Sequence, residues 1–317
     1  MNILVTGVAG FIGSSLAARF LKEGHRVRGI DCLTENYSLK TKRQNLKSLL
    51  VHPSFSYCEE DLLTSPLPAL FSGIDACYHQ AAQPGVRSSW GANFDSYVRN
   101  NILVTQRLLE YMKQNPLKKF VYASTSSVYG DCPLPMHEGQ LLRPVSPYGV
   151  TKLAAENLLN LYSKNYGLSY TSFRYFTVYG PRQRPDMAFF KFIESLLLDK
   201  EICIYGDGNQ TRDFTYIDDV LDANLSVLNT LDQGEIFNIG GGCQISILEV
   251  INLLEQIIGK KANIRFTSTQ KGDVRHTLAD TQKARAQLNF NPHFDLQKGL
   301  VKEVKWVEEV LYEEDLA

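Results

Sequence analysis

The chain has 317 residues, of which 44% are hydrophobic and 21% charged, and its 33 basic side chains nearly balance 34 acidic ones. This hydrophobic content can form a packed core, which excludes disordered and low-complexity proteins. The net charge of −1 lacks the basic excess that a nucleic-acid partner normally requires. We therefore expect a globular protein of about two domains that does not bind nucleic acid.

The cysteines, the histidines and the hydrophobic runs each exclude a class of protein. Six scattered cysteines form no CxxC pair, which argues against a disulfide framework and a zinc site. The six histidines show no HxH or HExxH spacing, so we expect no metal. No secretion signal is recognisable, and no stretch approaches the roughly 18 apolar residues of a membrane span. These patterns predict a soluble cytoplasmic protein with no membrane partner.

The first half alternates strand-like and helix-like segments. The strand-like runs are short, apolar and rich in β-branched or aromatic residues; they cover 2–6, 26–31, 54–58, 75–79 and 119–125. Helical patterns lie between them, at 11–23 and 93–115. This alternation predicts an α/β fold with a Rossmann-type, doubly wound parallel sheet and right-handed crossovers.

The second half is mixed. It contains a helix at 147–165, a strand at 170–175 and helical runs at 218–230 and 296–311. In the last run we expect the charged residues Lys302, Glu303 and Lys305 to face outward from an amphipathic helix. No linker is visible, so we predict two packed lobes. Residues 1–175 form the Rossmann domain, and 176–317 form mainly a smaller mixed α/β substrate-binding lobe, with some segments returning to the Rossmann core.

A glycine-rich turn joins the first strand to the first helix. Glycines let a backbone approach a pyrophosphate closely, and a helix N-terminus offers free N–H groups. Asp31 closes the second strand, where an acid accepts a hydrogen bond from a ribose hydroxyl and favours NAD over NADP. A solvated loop acid beside a purely structural turn is the alternative. The predicted cofactor residues of this turn and of the following strand ends are Gly7, Gly10, Phe11, Ile12, Gly13, Asp31, Asp61, Leu62, Gln80, Ala81 and Ala82.

A second motif, Tyr148-x-x-x-Lys152, predicts the chemistry. Ser146 suits an N-cap and is followed by proline, so a helix begins here and places Tyr148 and Lys152 one turn apart on one face. An ammonium group and the positive ring of oxidised NAD would lower the tyrosine pKa, so that Tyr148 serves as general base and then as general acid. Both residues then also contact the cofactor. Strand-end hydroxyls at Thr125, Ser126 and Ser127 can hold a sugar hydroxyl near the phenol, although such serines often only cap strands.

These motifs resemble those of the extended short-chain dehydrogenase/reductase family, in its branch of NAD-dependent nucleotide-sugar epimerases and dehydratases. Further matching segments are 127–130 (S-V-Y-G), 174–181 (R-Y-F-T-V-Y-G-P) and 213–219 (D-F-T-Y-I-D-D). Within that family the chain is most similar to UDP-glucuronic acid 4-epimerases, through segments 84–90 (P-G-V-R-S-S-W) and 177–189. Two positions depart from the common pattern: Thr177 stands where many members have asparagine, and Gln80 where leucine is usual.

The resemblance implies a tightly held NAD, a UDP-sugar substrate and a homodimer built on a helix bundle. It implies that Ala188, Phe189 and Tyr205 lie near the uracil. Arg212 would meet the diphosphate, and Arg275 is a less secure candidate for the same role, because arginines in such loops are usually exposed. Arg87 could face either the sugar or the diphosphate.

The implied reaction is epimerisation of UDP-glucuronate to UDP-galacturonate at C4, through a 4-keto sugar. The 4-keto intermediate is a β-keto acid, so an epimerase must keep the carboxylate from aligning with the carbonyl. Thr125, Ser126, Ser127 and Thr177 offer hydroxyl donors for this task, and Arg184 offers a charged fork unless it is simply a surface arginine.

Four other activities remain as alternatives. A UDP-glucuronate decarboxylase would share the oxidation step and release CO2, and a UDP-glucose 4-epimerase would act on the neutral sugar. A 4,6-dehydratase usually carries an Asp-Glu pair where this chain has Ser126 and Ser127, which argues against dehydration. A non-catalytic NAD-binding regulator would not need Tyr148, Lys152 and Thr125.

Overall fold

The computed structural model describes residues 1–230 and 234–315 of the chain. Its strands, in chain order, are β1 (Asn2–Thr6), β2 (Arg26–Ile30), β3 (Phe55–Cys58), β4 (Ala76–His79), β5 (Lys119–Thr125), β6 (Thr171–Tyr175), β7 (Val178–Tyr179), β8 (Glu201–Tyr205), β9 (Thr211–Asp213), β10 (Thr215–Tyr216), β11 (Glu235–Ile239), β12 (Gln244–Ser246) and β13 (Asn263–Thr267).

The α-helices of the described residues are α1 (Phe11–Lys22), α2 (Leu39–Leu50), α3 (Leu67–Phe71), α4 (Phe94–Tyr97), α5 (Val104–Gln114), α6 (Pro147–Tyr166), α7 (Ala188–Leu197), α8 (Ile217–Ser226), α9 (Ile247–Ile258), α10 (Gln282–Leu288) and α11 (Leu296–Asp315). None of them is both long and apolar enough to cross a membrane.

Seven strands form one parallel sheet in the order β11-β6-β5-β4-β1-β2-β3. The chain order reverses between β1 and β4, so crossovers leave a crevice at the carboxyl ends of these two strands. Side chains of β1 and β4 are almost fully buried, as expected for strands that helices cover on both faces. The predicted Rossmann-type fold is therefore confirmed, and the five strands predicted in the first half match the observed ones to within one residue at each end.

The helix predicted at 93–115 forms with an irregular middle section. A short α4 leads into a π-helical turn at Val98–Leu103, and α5 follows without a break. Tyr97, Asn101 and Leu108 share the predicted apolar face, and all three are buried. The single extra residue in a π turn changes which side chains face the core without ending the helix.

Helix α6 begins where the sequence predicts. The Ser146 hydroxyl accepts a hydrogen bond from the Gly149 N–H at 3.1 Å, and Pro147 occupies the first turn. Gly167, with φ of 70°, ends the helix in a left-handed conformation. The first turn of this helix, and hence Tyr148, is fixed by local sequence.

The outward position predicted for Glu303 on α11 is wrong. Its side chain is fully buried and accepts a hydrogen bond from the Gly180 N–H at 2.9 Å. Burial raises the pKa of this carboxyl well above its ordinary value. A buried backbone N–H needs an acceptor, and here a helix side chain supplies it to the turn after β7.

The second half of the chain builds the substrate side of the molecule. Strands β8 and β13 pair in parallel and β9 and β12 pair antiparallel, in two small sheets beside α7 and α9. Strand β11 lies outside them, at the edge of the central sheet, although it falls beyond the predicted boundary at residue 175. This return of the chain ties the two halves together. The division into two domains at residue 175 stays a prediction.

We expect a methyl group at Gly13 to separate α1 from β1. A Cβ at this position would lie 2.2 Å from the Gly7 carbonyl oxygen. Gly13→Ala should therefore lower the free energy of unfolding by about 3 kcal/mol, as overpacked sites do. In the control Gly139→Ala, the nearest atom to the new Cβ is 3.4 Å away, and the change should stay within about 0.5 kcal/mol. Equal stability of the two variants in urea denaturation would contradict the proposed contact.

The end of β4 holds a buried neutral histidine. His79 Nδ1 lies 2.7 Å from Thr6 Oγ1, and Nε2 lies 3.3 Å from Thr105 Oγ1. Burial, assisted by the nearby Lys152 charge, lowers the pKa of His79 from 6.5 to about 3. The unfolded chain thus binds a proton at this residue at a higher pH than the folded protein does.

Stability should consequently decrease as the pH falls from 6.5 toward 3. The His79 contribution is complete above pH 6.5, and lowering the pH to 5 removes about 2 kcal/mol of it, at about 1.4 kcal/mol per pH unit. His79→Asn, which cannot take up this proton, should show a flatter pH dependence by that amount. Unfolding free energies at pH 7 and pH 5 test this, and parallel profiles for the two proteins would refute it.

Candidate active site

One cavity of about 370 Å³ lies at the carboxyl edge of the sheet, at the crevice between β1 and β4. Its volume is in the range of small-molecule sites. Every predicted cofactor residue and every predicted catalytic residue lines it. The hydroxyl-bearing residues and the arginine assigned to the sugar carboxylate line it as well. The full set is Gly7, Gly10, Phe11, Ile12, Gly13, Asp31, Asp61, Leu62, Gln80, Ala81, Ala82, Thr125, Ser126, Ser127, Tyr148, Lys152, Thr177 and Arg184. The fold thus brings together segments that are up to 177 residues apart in the chain.

The glycine turn fits a dinucleotide. Gly7 has a φ of 66°, and a Cβ there would lie 2.7 Å from the Ala81 backbone nitrogen, so the turn sits directly against the end of β4. Gly10 precedes α1 and provides no side-chain cap. The first N–H groups of α1 therefore remain available to an anion at the cavity wall, as a pyrophosphate requires.

Asp31 holds the turn in place. Its carboxylate accepts hydrogen bonds from the Ala9 N–H at 3.0 Å and the Leu33 N–H at 2.9 Å. Lys42 of α2 is buried beside it and donates to the Thr34 carbonyl at 2.6 Å. Burial lowers the pKa of Lys42, while Asp31 acts in the opposite direction. An acid with backbone donors on one side remains suited to a ribose hydroxyl on the other.

Tyr148 and Lys152 lie on the cavity face of α6, as the four-residue spacing predicts. The helix approaches the end of β5 closely, because a Cβ at Gly149 would lie only 2.5 Å from the Ser127 carbonyl oxygen. Thr125, the last residue of β5, accepts a hydrogen bond from the Ser127 N–H at 3.2 Å. The contact between the end of β5 and the start of α6 therefore holds the Tyr148 phenol, the Lys152 ammonium and the strand-end hydroxyls in place.

The expected lowering of the Tyr148 pKa is not found in this structure. Burial raises the pKa of Tyr148, and the Thr125 hydrogen bond and the Arg184 charge only act against that rise. Burial also lowers the pKa of Lys152 to about 7, with Glu156 opposing it. Removal from water therefore disfavours the ammonium charge of Lys152 as well as the phenolate charge of Tyr148.

Arg184 lines the cavity with its guanidinium already engaged. Its Nε and Nη2 atoms donate to the two carboxylate oxygens of Asp186, each at 2.9 Å. The guanidinium carbon also lies 6.0 Å from the centre of the Tyr37 ring. Arg184 is therefore neither a free surface arginine nor a vacant fork, and Nη1 is the nitrogen left outside the Asp186 bonds.

The residues assigned to the UDP form a separate cluster outside that cavity lining. Arg87 stacks 4.2 Å from the centre of the Tyr205 ring and donates to Asp273 at 2.7 Å. Burial lowers the pKa of Arg212, and the charges of Asp273 and Arg87 modify that shift in opposite directions. Arg275 contributes only its backbone carbonyl to Arg212, since its own guanidinium pairs with exposed Asp207 at 2.9 Å.

The two residues of α7 assigned to the uracil differ in what they can offer. Ala188 opens α7 and is exposed. The Phe189 side chain is buried in the core, 4.6 Å from the Phe214 ring centre. Only the backbone of Phe189 could contact a base. The sequence alone does not show whether the backbone or the ring of Phe189 would make that contact.

Tyr37 and Lys42 are two of several polar residues of the cavity that sequence reasoning missed. The Tyr37 hydroxyl is buried without a hydrogen-bond partner among the described residues. Both residues lie in or just before α2, which the sequence analysis did not predict. Lys42 can be recognised as a site residue only when the fold shows that Asp31 lies beside it.

Comparisons with known proteins agree with this arrangement. The model of the NAD dependent epimerase/dehydratase family matches residues 3–240. A UDP-glucuronate 4-epimerase of Thermodesulfobacterium geofontis is 44% identical, over 96% of each chain. A protein of Bacillus subtilis described as an uncharacterised UDP-glucose epimerase is 45% identical, over 97% of this chain and 98% of its own.

Among solved structures, the UDP-glucuronic acid 4-epimerase of Bacillus cereus, in complex with UDP-glucuronic acid and NAD, superposes with a TM-score of 0.96. It is 47% identical, and the match covers 98% of this chain and 100% of that one. The glycine turn, the acid after β2 and the tyrosine–lysine pair thus occur in a chain that matches NAD enzymes over nearly its whole length. The chain belongs to the NAD-dependent epimerase/dehydratase family.

Proposed function

We propose that this protein is a UDP-glucuronate 4-epimerase that interconverts UDP-glucuronate and UDP-galacturonate. The observation that carries the proposal is the shared cavity: the glycine turn, the Tyr148–Lys152 pair and a row of hydroxyls line the same space. The relatives described above act on UDP-sugars, and the similarity to the B. cereus enzyme extends over the whole fold.

In this reaction Tyr148 accepts the proton of the C4 hydroxyl and later returns a proton to the C4 oxygen of the keto sugar. NAD, when bound, accepts and returns the C4 hydride and brings a positive ring that favours the phenolate. Thr125 holds the hydroxyl beside the phenol, since both side chains line the same wall of the cavity. Rotation of the 4-keto sugar between the two hydride transfers inverts C4.

The hydroxyl row suits a sugar acid. Thr125, Ser126 and Ser127 lie in a turn in which the Thr125 oxygen already accepts the Ser127 N–H. Thr177 lines the same cavity from the segment after β6. Short hydroxyls can fix a carboxylate in one orientation, which keeps its bond to C5 from aligning with the 4-keto group. Arg184 adds positive charge nearby, although Asp186 already neutralises part of it.

The UDP portion would extend toward the Arg87, Tyr205 and Arg212 cluster. Guanidinium groups bind phosphate oxygens through paired N–H donors. The half-exposed Tyr205 ring and the N-terminal backbone of α7 offer a flat face and free N–H groups for a base. In this assignment Arg275 orients Arg212 through its carbonyl and does not bind phosphate itself.

We also propose a cytoplasmic homodimer. The region around α5 and α6 exposes large apolar side chains, including Leu103, Val150 and Leu161, each 47% to 54% accessible. Such a surface suits a helix bundle between two copies. All six cysteines are unpaired, which suits a reducing compartment.

Incubation with UDP-glucuronate, followed by NMR of the products, tests the activity. We expect UDP-galacturonate to form, with the same final mixture when the reaction starts from either epimer. A parallel panel of UDP-hexoses should turn over more slowly. UDP-xylose or its 4-keto precursor as main product would show a decarboxylase and refute the proposal.

Tyr148→Phe should lower kcat by about 10²–10⁴-fold, because it removes the group that carries the C4 hydroxyl proton. NAD should remain bound, since the glycine turn is unchanged. Tyr312→Phe is the matched control: this residue of α11 is 67% exposed, and its turnover should match the unmodified protein. A loss of fivefold or less in Tyr148→Phe would exclude this phenol as the general base.

Light scattering should give the mass of two chains for the purified protein. Leu161→Glu places a charge on the α6 surface and should shift the protein to monomers. Val51→Glu makes the same change at a residue that is 83% exposed beyond α2, and should leave the dimer intact. A monomeric unmodified protein would contradict the dimer.

A further inference from the structure

A row of buried polar side chains crosses the sheet beneath the catalytic helix. Ser124 of β5, Arg174 of β6 and Asn238 of β11 are register partners on neighbouring strands. Partners in a parallel ladder point to the same face of a sheet. All three are at most 4% exposed, and Glu156 of α6 meets the row at 3% exposure.

Glu156 is the centre of this row. Arg174 donates to it twice, from Nε to Oε1 at 3.0 Å and from Nη2 to Oε2 at 2.7 Å. Ser124 Oγ donates to Oε1 at 2.5 Å. Arg174 Nη1 continues the network to the Tyr129 hydroxyl at 2.9 Å. Both carboxylate oxygens are therefore fixed by donors from two strands.

Lys152 precedes Glu156 by one helical turn. Its side chain is 2% exposed, and no hydrogen bond or ion pair links its Nζ to another described residue. The nitrogen lies 4.2 Å from the centre of the Tyr122 ring. A buried ammonium with only an aromatic face beside it depends strongly on the next charge along the helix.

We propose that Glu156, fixed by Arg174 and Ser124, is a positioning residue that sets the charge of Lys152 and thereby the proton affinity of Tyr148. This inference rests on the proposed function, in which Tyr148 carries the C4 proton. Glu156 is not itself one of the residues that line the cavity. It acts through the field of a carboxylate whose orientation the sheet determines.

The titratable groups facing Lys152 are few. His79 approaches from β4 and is neutral, because burial lowers its pKa to about 3. Tyr122 of β5 has a pKa raised by burial and carries no charge at neutral pH. On α6 itself the neighbours are Tyr148 and Glu156. Burial lowers the pKa of Lys152 to about 7, and Glu156 is the charge that opposes this fall.

Arg174 determines how strongly Glu156 acts. The pair is buried on both sides, with side chains 2% and 3% exposed. Loss of the carboxylate leaves an unpaired cation near Lys152, while loss of the guanidinium leaves an unpaired anion. The two changes must therefore move the protonation midpoint of Lys152 in opposite directions. Damage to packing alone would not produce opposite shifts in the two variants.

The test measures the charge of Lys152 directly in the NAD-loaded protein. Lysine labelled with ¹³C at Cε reports protonation by NMR, and Lys152→Met identifies the signal by its loss. Relative to the unmodified protein, Glu156→Gln should lower the titration midpoint by about one pH unit, and Arg174→Met should raise it. Glu194→Gln removes an equal charge from a surface pair with Lys200 and should leave the midpoint unchanged.

The pH profile of kcat supplies the second readout. Its alkaline limb should move to lower pH in Glu156→Gln and to higher pH in Arg174→Met, in step with the NMR midpoints. Should a single variant not fold, the double variant Glu156→Gln/Arg174→Met, which removes both charges of the buried pair, should still show a lowered midpoint. Unchanged midpoints, or shifts of one sign in both single variants, would overturn the inference.

The two proposals fail in different ways. Absence of UDP-galacturonate with the unmodified protein refutes the proposed function and leaves the NMR midpoints as they are. If the Lys152 titration midpoint is unchanged in the Glu156 and Arg174 variants, this inference is refuted even when epimerisation proceeds.

Discussion

The close approach of Gly13 to Gly7 is the constraint on which the site depends. It brings α1 against the end of β1, with no room for a methyl group between them. Because Gly7 also abuts Ala81 at the end of β4, the N-terminus of α1 faces the crevice where the strand order reverses. Free N–H groups, the acid after β2 and the end of β5 then surround one space. The cavity is thus a consequence of backbone packing before any reactive side chain is considered.

Burial determines how the reactive pair behaves. Tyr148 and Lys152 are both removed from water, which disfavours phenolate and ammonium alike. Burial thus opposes both charges, and the groups that can favour them are few: Arg184 at the cavity wall and Glu156 one turn along α6, together with the cofactor in the proposed reaction. A site of this kind gains little catalytic power from a tyrosine–lysine pair alone.

The sequence predicted those parts of the site that local chemistry fixes. Strand ends, the glycine turn and the start of α6 carry their own signals, since alternation, missing side chains and an N-cap act over a few residues. Helix α2 was missed because its first half is polar, with no apolar residue between Leu39 and Leu46, and Lys42 was missed with it. Glu303 was misplaced because its partner, the Gly180 N–H, lies 123 residues away. Such long-range pairings leave no local pattern.

The cationic residues assigned to the substrate show the same difference between local and distant information. The sequence identified Arg87 and Arg184, but not that Asp273 and Asp186 already bind them through Nε and Nη2. In each pair the carboxylate holds the guanidinium in one orientation and balances part of its charge. In each case the two N–H groups of Nη1 remain outside that pair. In the proposed function, a phosphate or carboxylate of the substrate would therefore meet an oriented donor whose charge is partly balanced, and we expect selectivity to come from geometry more than from net attraction.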